Sequence, residues 1–195
     1  MTNLIEQLDS IQSRRKFPNW KPKAPSGKWL PDMTDDQKET LRRMLDFVDL
    51  EVAVGNWITS NDADTEEKVQ SIVERNQKDE LKHDEVLRYL REYTSYRKQD
   101  ERPDSIVKAW QEQKPSFSLA FALEMGVFMT ILPWINKHGD LYCSQVSNWI
   151  SDDEVVHVRT NSLLSKAYKQ SLSKRHFQLV KDTLSYIFEP LGDEY

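Results

Sequence analysis

The 195-residue chain has one cysteine, Cys143, so it can form no internal disulfide, which fits a reducing compartment. Glycine is scarce, at 5 residues, and short alternating apolar–polar segments are few; both count against an all-β fold. The N-terminus lacks an apolar signal core, so a cytoplasmic location is expected. Excess positive charge is missing too. A formal net charge of −5 argues against general nucleic-acid binding. One long apolar run occurs, over 117–135. It carries Glu124 near its middle and Pro133 near its end, which predicts a buried core helix and no membrane span.

What the chain has in quantity is helical periodicity. Residues 1–33 read as an N-terminal arm, with a short helix over 3–13 followed by a basic, aromatic and proline-rich stretch. A surface-packed arm is the plain reading, and partner or tRNA binding is the functional one. Thr34-Asp35-Asp36-Gln37 forms a capping-box pattern that opens a helix running to about residue 60. A turn over 61–64 then leads into a second long helix, about 65–97. After a charged loop, a short helix over 105–113 ends before Pro115. A third long helix spans 116–137, kinked near Pro133 and stopped at Gly139. A fourth spans 140–170 and a fifth 173–188. The domain expected over 34–195 is therefore a long helix pair, a connector and a second long pair.

Two tetrapeptides share one form: Glu80-Leu81-Lys82-His83 in the second long helix and Glu154-Val155-Val156-His157 in the fourth. Residues three apart share a helix face, so each motif presents a carboxylate and an imidazole together. Those ligand types suit iron or manganese. The other two long helices each offer one glutamate inside an apolar stripe, Glu51 and Glu124. Glu124 is the only charged residue in its run, and a buried unpaired carboxylate costs several kcal/mol. Glu51 precedes Glu80 by 29 positions and Glu124 precedes Glu154 by 30. Two such halves around a pseudo-twofold give four carboxylates and two imidazoles, whose charge two divalent ions neutralise. Asp79 and Asp153 stand directly before the motifs. Asp79 is placed to accept from His157 and Asp153 from His83, fixing which ring nitrogen meets the metal.

The set Glu51, Glu80-x-x-His83, Glu124, Glu154-x-x-His157 resembles the ferritin-like diiron-carboxylate superfamily over about residues 35–170. The resemblance implies an all-α, ferritin-like four-helix bundle holding two iron ions; manganese or a mixed pair would satisfy the same ligands. It also implies reaction with dioxygen, an external electron donor such as ferredoxin or a flavin reductase, and a compact subunit compatible with a homodimer. Glu80 and Glu154 would bridge the ions while Glu51 and Glu124 each bind one. Small oxygenases similar to the aldehyde-deformylating enzymes match best in size, with an apolar acyl or aldehyde substrate expected. Ferroxidase or iron storage, and quinone or tRNA hydroxylation, are the rivals. Phe47, Phe117, Phe121, Phe128 and Trp149 either line a substrate pocket or pack the core. His138 and His176 are expected at the surface, and Cys143 in helix packing.

Overall fold

The computed structural model describes residues 2–29, 31–60 and 66–194. All regular structure among them is helical. The elements are α1 (Thr2–Gln12), α2 (Asp35–Leu45), α3 (Asp49–Thr59), α4 (Glu67–Tyr93) and α5 (Arg102–Gln111). They continue with α6 (Phe117–Leu123), a π-helical segment (Glu124–Phe128), α7 (Met129–His138), α8 (Leu141–Ala167), α9 (Lys174–Phe188) and a terminal 3-10 stretch (Glu189–Glu194). The turn expected over 61–64 lies outside the described residues.

The first long helix of the sequence reading is two helices. Thr34 caps α2 through the predicted box with Gln37, but the chain turns at 46–48 before α3 begins. There the amides of Phe47, Leu50 and Glu51 bond three residues back, to Met44, Phe47 and Val48. Asp46 supplies the reason. Its buried carboxylate accepts from the Tyr186 hydroxyl at 2.7 Å, from Arg42 at 3.2 Å and from the Tyr96 hydroxyl, so the turn is pinned to α9 and to the segment after α4. α3 then carries Glu51 on its buried face. One turn on, Gly55 lets α3 close on α4: a Cβ there would meet Gln77 Cγ at 3.0 Å and Glu80 Cβ at 3.5 Å.

The third long helix departs from α geometry at Glu124–Phe128, where the Met129 amide reaches the Glu124 carbonyl five residues back. Pro133, expected to kink this helix, sits inside α7. Gly139 closes α7 against α8. A Cβ there would overlap Cys143, whose amide is capped by Asp140 at 3.0 Å. The apolar run expected as a core helix is mostly buried, although its length and composition alone would suit a membrane crossing.

α3 packs on α4, and α6–π–α7 packs on α8; the two pairs meet through α3 with α6 and α4 with α8. α9 lies across α2, α5 and α6, and Trp110 is tied to Thr183 by a 3.0 Å hydrogen bond. α4 and α8 are 27 residues each, about 40 Å of helix, and in both the Glu-x-x-His motif begins thirteen residues after the first. The N-terminal segment packs on this core: Leu8, Arg15, Trp20 and Met33 are buried. Asp152 accepts the amides of Lys16 and Phe17 at 2.7 Å each, and Tyr142 donates to the Lys23 carbonyl at 2.8 Å.

Candidate metal centre

Helix periodicity brings the sequence-predicted residues to one place. α4 turns Asn76, Asp79, Glu80 and His83 inward, and α8 does the same with Asp153, Glu154, His157 and Asn161. Glu51, Glu80, His83, Glu124, Glu154 and His157 are all 0% exposed, in the middle of an apolar core. Ligand atoms of Glu80, His83, Glu154 and His157 lie within 4.8 Å of one another. Glu51 joins through an Oε2 3.4 Å from His83 Nδ1. Glu124 is set slightly apart: both its oxygens accept from Asn161 Nδ2, at 2.8 and 2.9 Å.

The orientation of the imidazoles is informative. Nδ1 of His83 faces Glu80 at 3.3 Å and Glu154 at 3.4 Å, and Nδ1 of His157 faces Glu80 at 2.8 Å. These contacts are short but not aligned as hydrogen bonds. Both oxygens of Glu51, Glu80 and Glu154 and both Nδ1 atoms remain buried without a hydrogen-bond partner. Buried polar atoms are nearly always satisfied, so eight orphans gathered in one cluster call for a shared partner. The Nε2 atoms look outward. His83 Nε2 lies 3.3 Å from Asp153, and His157 Nε2 lies 3.4 Å from Asp79. That is the crossed pairing read from the sequence. It leaves Nδ1 as the free ligand on each ring.

Electrostatics gives the same picture. Burial pushes the Glu51 and Glu124 carboxyls well above the usual range, and burial plus the neighbouring Glu80 raises Glu154. Burial works against the charged imidazoles, yet the surrounding carboxylates hold His83 and His157 well above their ordinary value. Burial also opposes ionisation of Glu80, but His157 and His83 bring it down to about 2. A metal-free site therefore retains protons that a metal would replace.

Four features escaped the sequence reading. Asn161 holds Glu124. Arg15 Nη1 pairs with Asp79 at 2.6 Å and also with Asp153. Lys82 Nζ pairs with Asp79 at 2.6 Å. Trp20 Nε1 donates to Asp153 at 2.8 Å, and its ring lies parallel to those of His83 and Trp149, with centroids 6.0 and 5.4 Å away. Asn161 stands one turn beyond His157, so extending the motif's helix face would have found it. Arg15 and Trp20 are far away in sequence, and no spacing rule reaches them. Six carboxylates (Glu51, Glu80, Glu124, Glu154, Asp79 and Asp153) thus face two fixed cations, and two divalent ions would bring the balance to zero.

The aromatics expected around a pocket divide. Phe47 and Phe128 border a small void of about 10 Å³ beside Glu51, walled also by Leu87, Ile131 and Leu132. Phe117 packs near Tyr168, Phe121 faces a surface groove, and Trp149 stacks on Trp20. His176, expected at the surface, is buried in the box that caps α9, where the Ser173 hydroxyl accepts its amide at 3.1 Å. Cys143 is buried, as helix packing requires.

The residues present can hold a metal ion, and the donor set of carboxylates and imidazoles suits iron or manganese. No family model, curated protein or solved structure matches the chain.

Proposed function

We propose that this chain is a ferritin-like dinuclear metal-carboxylate protein whose physiological metal is iron and whose activity is a dioxygen-dependent oxidoreductase reaction. The observation that carries the reading is the convergence of eight unpartnered, fully buried ligand atoms from α3, α4 and α8, with Glu124 beside them on the π segment. Two ferrous ions bound together would supply the electrons and vacant coordination positions needed to reduce dioxygen.

The chain's own residues have distinct tasks in this reading. Glu80 and Glu154 each lie near both Nδ1 atoms and would hold metal together with the two imidazoles. Glu51 and Glu124 would each serve one ion. Asp153 and Asp79 hold the outer Nε2–H groups and keep Nδ1 turned inward. Glu124 sits in the π segment, a form of backbone that recurs at functional sites because it re-aims one side chain. Phe47, Leu87, Phe128 and Ile131 keep bulk water from Glu51.

An apolar organic substrate fits these walls in character. The small size of the void, about 10 Å³ or room for about one water, favours a second reading in which dioxygen and ferrous iron are the only reactants, as in a ferroxidase. Anaerobic loading with ferrous iron should give two ions per chain. Fewer than about one after reconstitution removes both readings. Exposure to air then separates them. Repeated turnover with a reductant and an apolar aldehyde or acyl compound supports the oxygenase. Growth of a ferric core inside a large hollow assembly supports the ferroxidase.

A further inference from the structure

The outer carboxylates of the centre are joined by a residue from the N-terminal arm. Arg15 is buried, and its side chain is only 1% exposed. Nη1 pairs with both Asp79 and Asp153, and Nη2 donates to Asn76 Oδ1 at 3.2 Å. Each aspartate in turn faces the Nε2 of a different ligand imidazole. One guanidinium therefore stands behind both histidines. Lys82 also reaches the two aspartates, at 2.6 and 3.6 Å, but it belongs to α4 itself. Without Arg15, only Lys82 would stand between the two buried aspartates, and the arm would keep a single bond to them, from Trp20 Nε1 to Asp153.

We propose that Arg15 is a positioning residue for the metal centre, and that through it docking of the N-terminal arm and binding of metal reinforce each other. The proposal rests on the metal reading given above. Its physical basis is a chain of charge-assisted contacts: metal, imidazole, aspartate, guanidinium. Metal on Nδ1 would make Nε2–H a stronger donor and so hold the aspartates oriented toward Arg15. Linkage makes the effect reciprocal, so a docked Arg15 raises metal affinity by the same factor that metal favours docking. The arm on either side of this point is exposed, at Arg14 before it and at Lys16 and Phe17 after it, so loosening should be visible there.

The test uses the full chain, titrated anaerobically with Co2+, whose visible absorption reports ligand geometry. Arg15→Gln should weaken binding roughly 10- to 100-fold and shift the absorption bands. Arg15→Lys, which keeps the charge, should recover part of the loss, and Arg14→Gln, at an exposed neighbour, should behave as wild type. Metal should slow tryptic cleavage after Lys16 at least about fivefold in the wild type and have no such effect in Arg15→Gln. Wild-type affinity and spectrum in a folded Arg15→Gln variant would overturn the proposal. If that variant does not fold, metal-independent cleavage after Lys16 in the wild type overturns it instead. Failure of the wild type to bind Co2+ is a separate result that removes the metal reading itself.

Discussion

Stripping the metal and restoring it should change stability by an amount that depends on pH in a definite direction. An ion that binds only the folded chain, present at 100 times its dissociation constant, stabilises by about 2.7 kcal/mol. Two ions give about 5 kcal/mol. In a chain of 195 residues, each kcal/mol moves the melting temperature by about 2–4 °C, so loading should raise it by about 10–20 °C. The pH dependence follows from the buried groups. Glu51, Glu124 and Glu154 are raised above their ordinary 4.5, and His83 and His157 above 6.5, so the folded apoprotein binds more protons than the unfolded chain as pH climbs past 4.5. Their contribution to stability is complete at low pH and drains away as pH rises, by about 1.4 kcal/mol per pH unit for each excess proton. Asp79, Asp153 and Glu80 are lowered and act in the opposite sense, losing their contribution as pH falls below the ordinary carboxylate range. The apoprotein should therefore be most stable in mildly acidic buffer. The stabilisation from metal should grow from pH 5 to pH 8, because the ligands bind it deprotonated. Thermal melts of apo and Mn2+-loaded protein across that range measure the gap. A gap that narrows as pH rises would refute the assignment of these five groups.

Other perturbations have equally specific outcomes. Glu124→Ala should reduce bound metal from two ions per chain to one, measured by elemental analysis after anaerobic reconstitution; two retained ions would remove Glu124 from the ligand set. Asn161→Leu takes away both hydrogen bonds to Glu124 and should destabilise the apoprotein by about 1–3 kcal/mol in denaturant titration, with a smaller cost in the loaded form, where a metal compensates the carboxylate. Gly126→Ala places a Cβ 2.7 Å from both Val180 methyls and should cost about 1–3 kcal/mol by forcing α9 from the π segment. Asp46→Ala leaves two tyrosine hydroxyls without their acceptor, while Arg42 keeps its paired contacts to Glu39, and should cost about 1–3 kcal/mol, read from the urea midpoint.

The buried Glu–His cluster was legible in the sequence because a helix converts spacing into a common face. Glu80 with His83, and Glu154 with His157, needed only that rule. Glu124 was visible as one charge in an apolar run. The helical class followed from the same periodicity. What stayed hidden depends on partners from elsewhere in the chain. The turn at 46–48 contains no proline or glycine; it exists because Asp46 is claimed by tyrosines 50 and 140 positions away. The π segment keeps an apolar pattern that reads equally well as α. Arg15 looked like one of several basic residues in an arm, and only the packed structure separates it from exposed Arg14 and Lys16.

The two halves of the centre repeat closely, yet they differ one helical turn beyond each histidine. Asn161 follows His157 and grips Glu124, whereas Leu87 follows His83 and leaves both oxygens of Glu51 without a donor beside a small apolar void. The two outer carboxylates thus sit in chemically unequal surroundings. One carboxylate is tethered by an amide, and the other has no donor to hold it. If two ions bind as proposed, they should exchange in sequence, with the one beside Glu51 turning over first, and isotope exchange should resolve two phases. An ordered pair of unlike metals could then assemble in a single chain without a second protein to sort them.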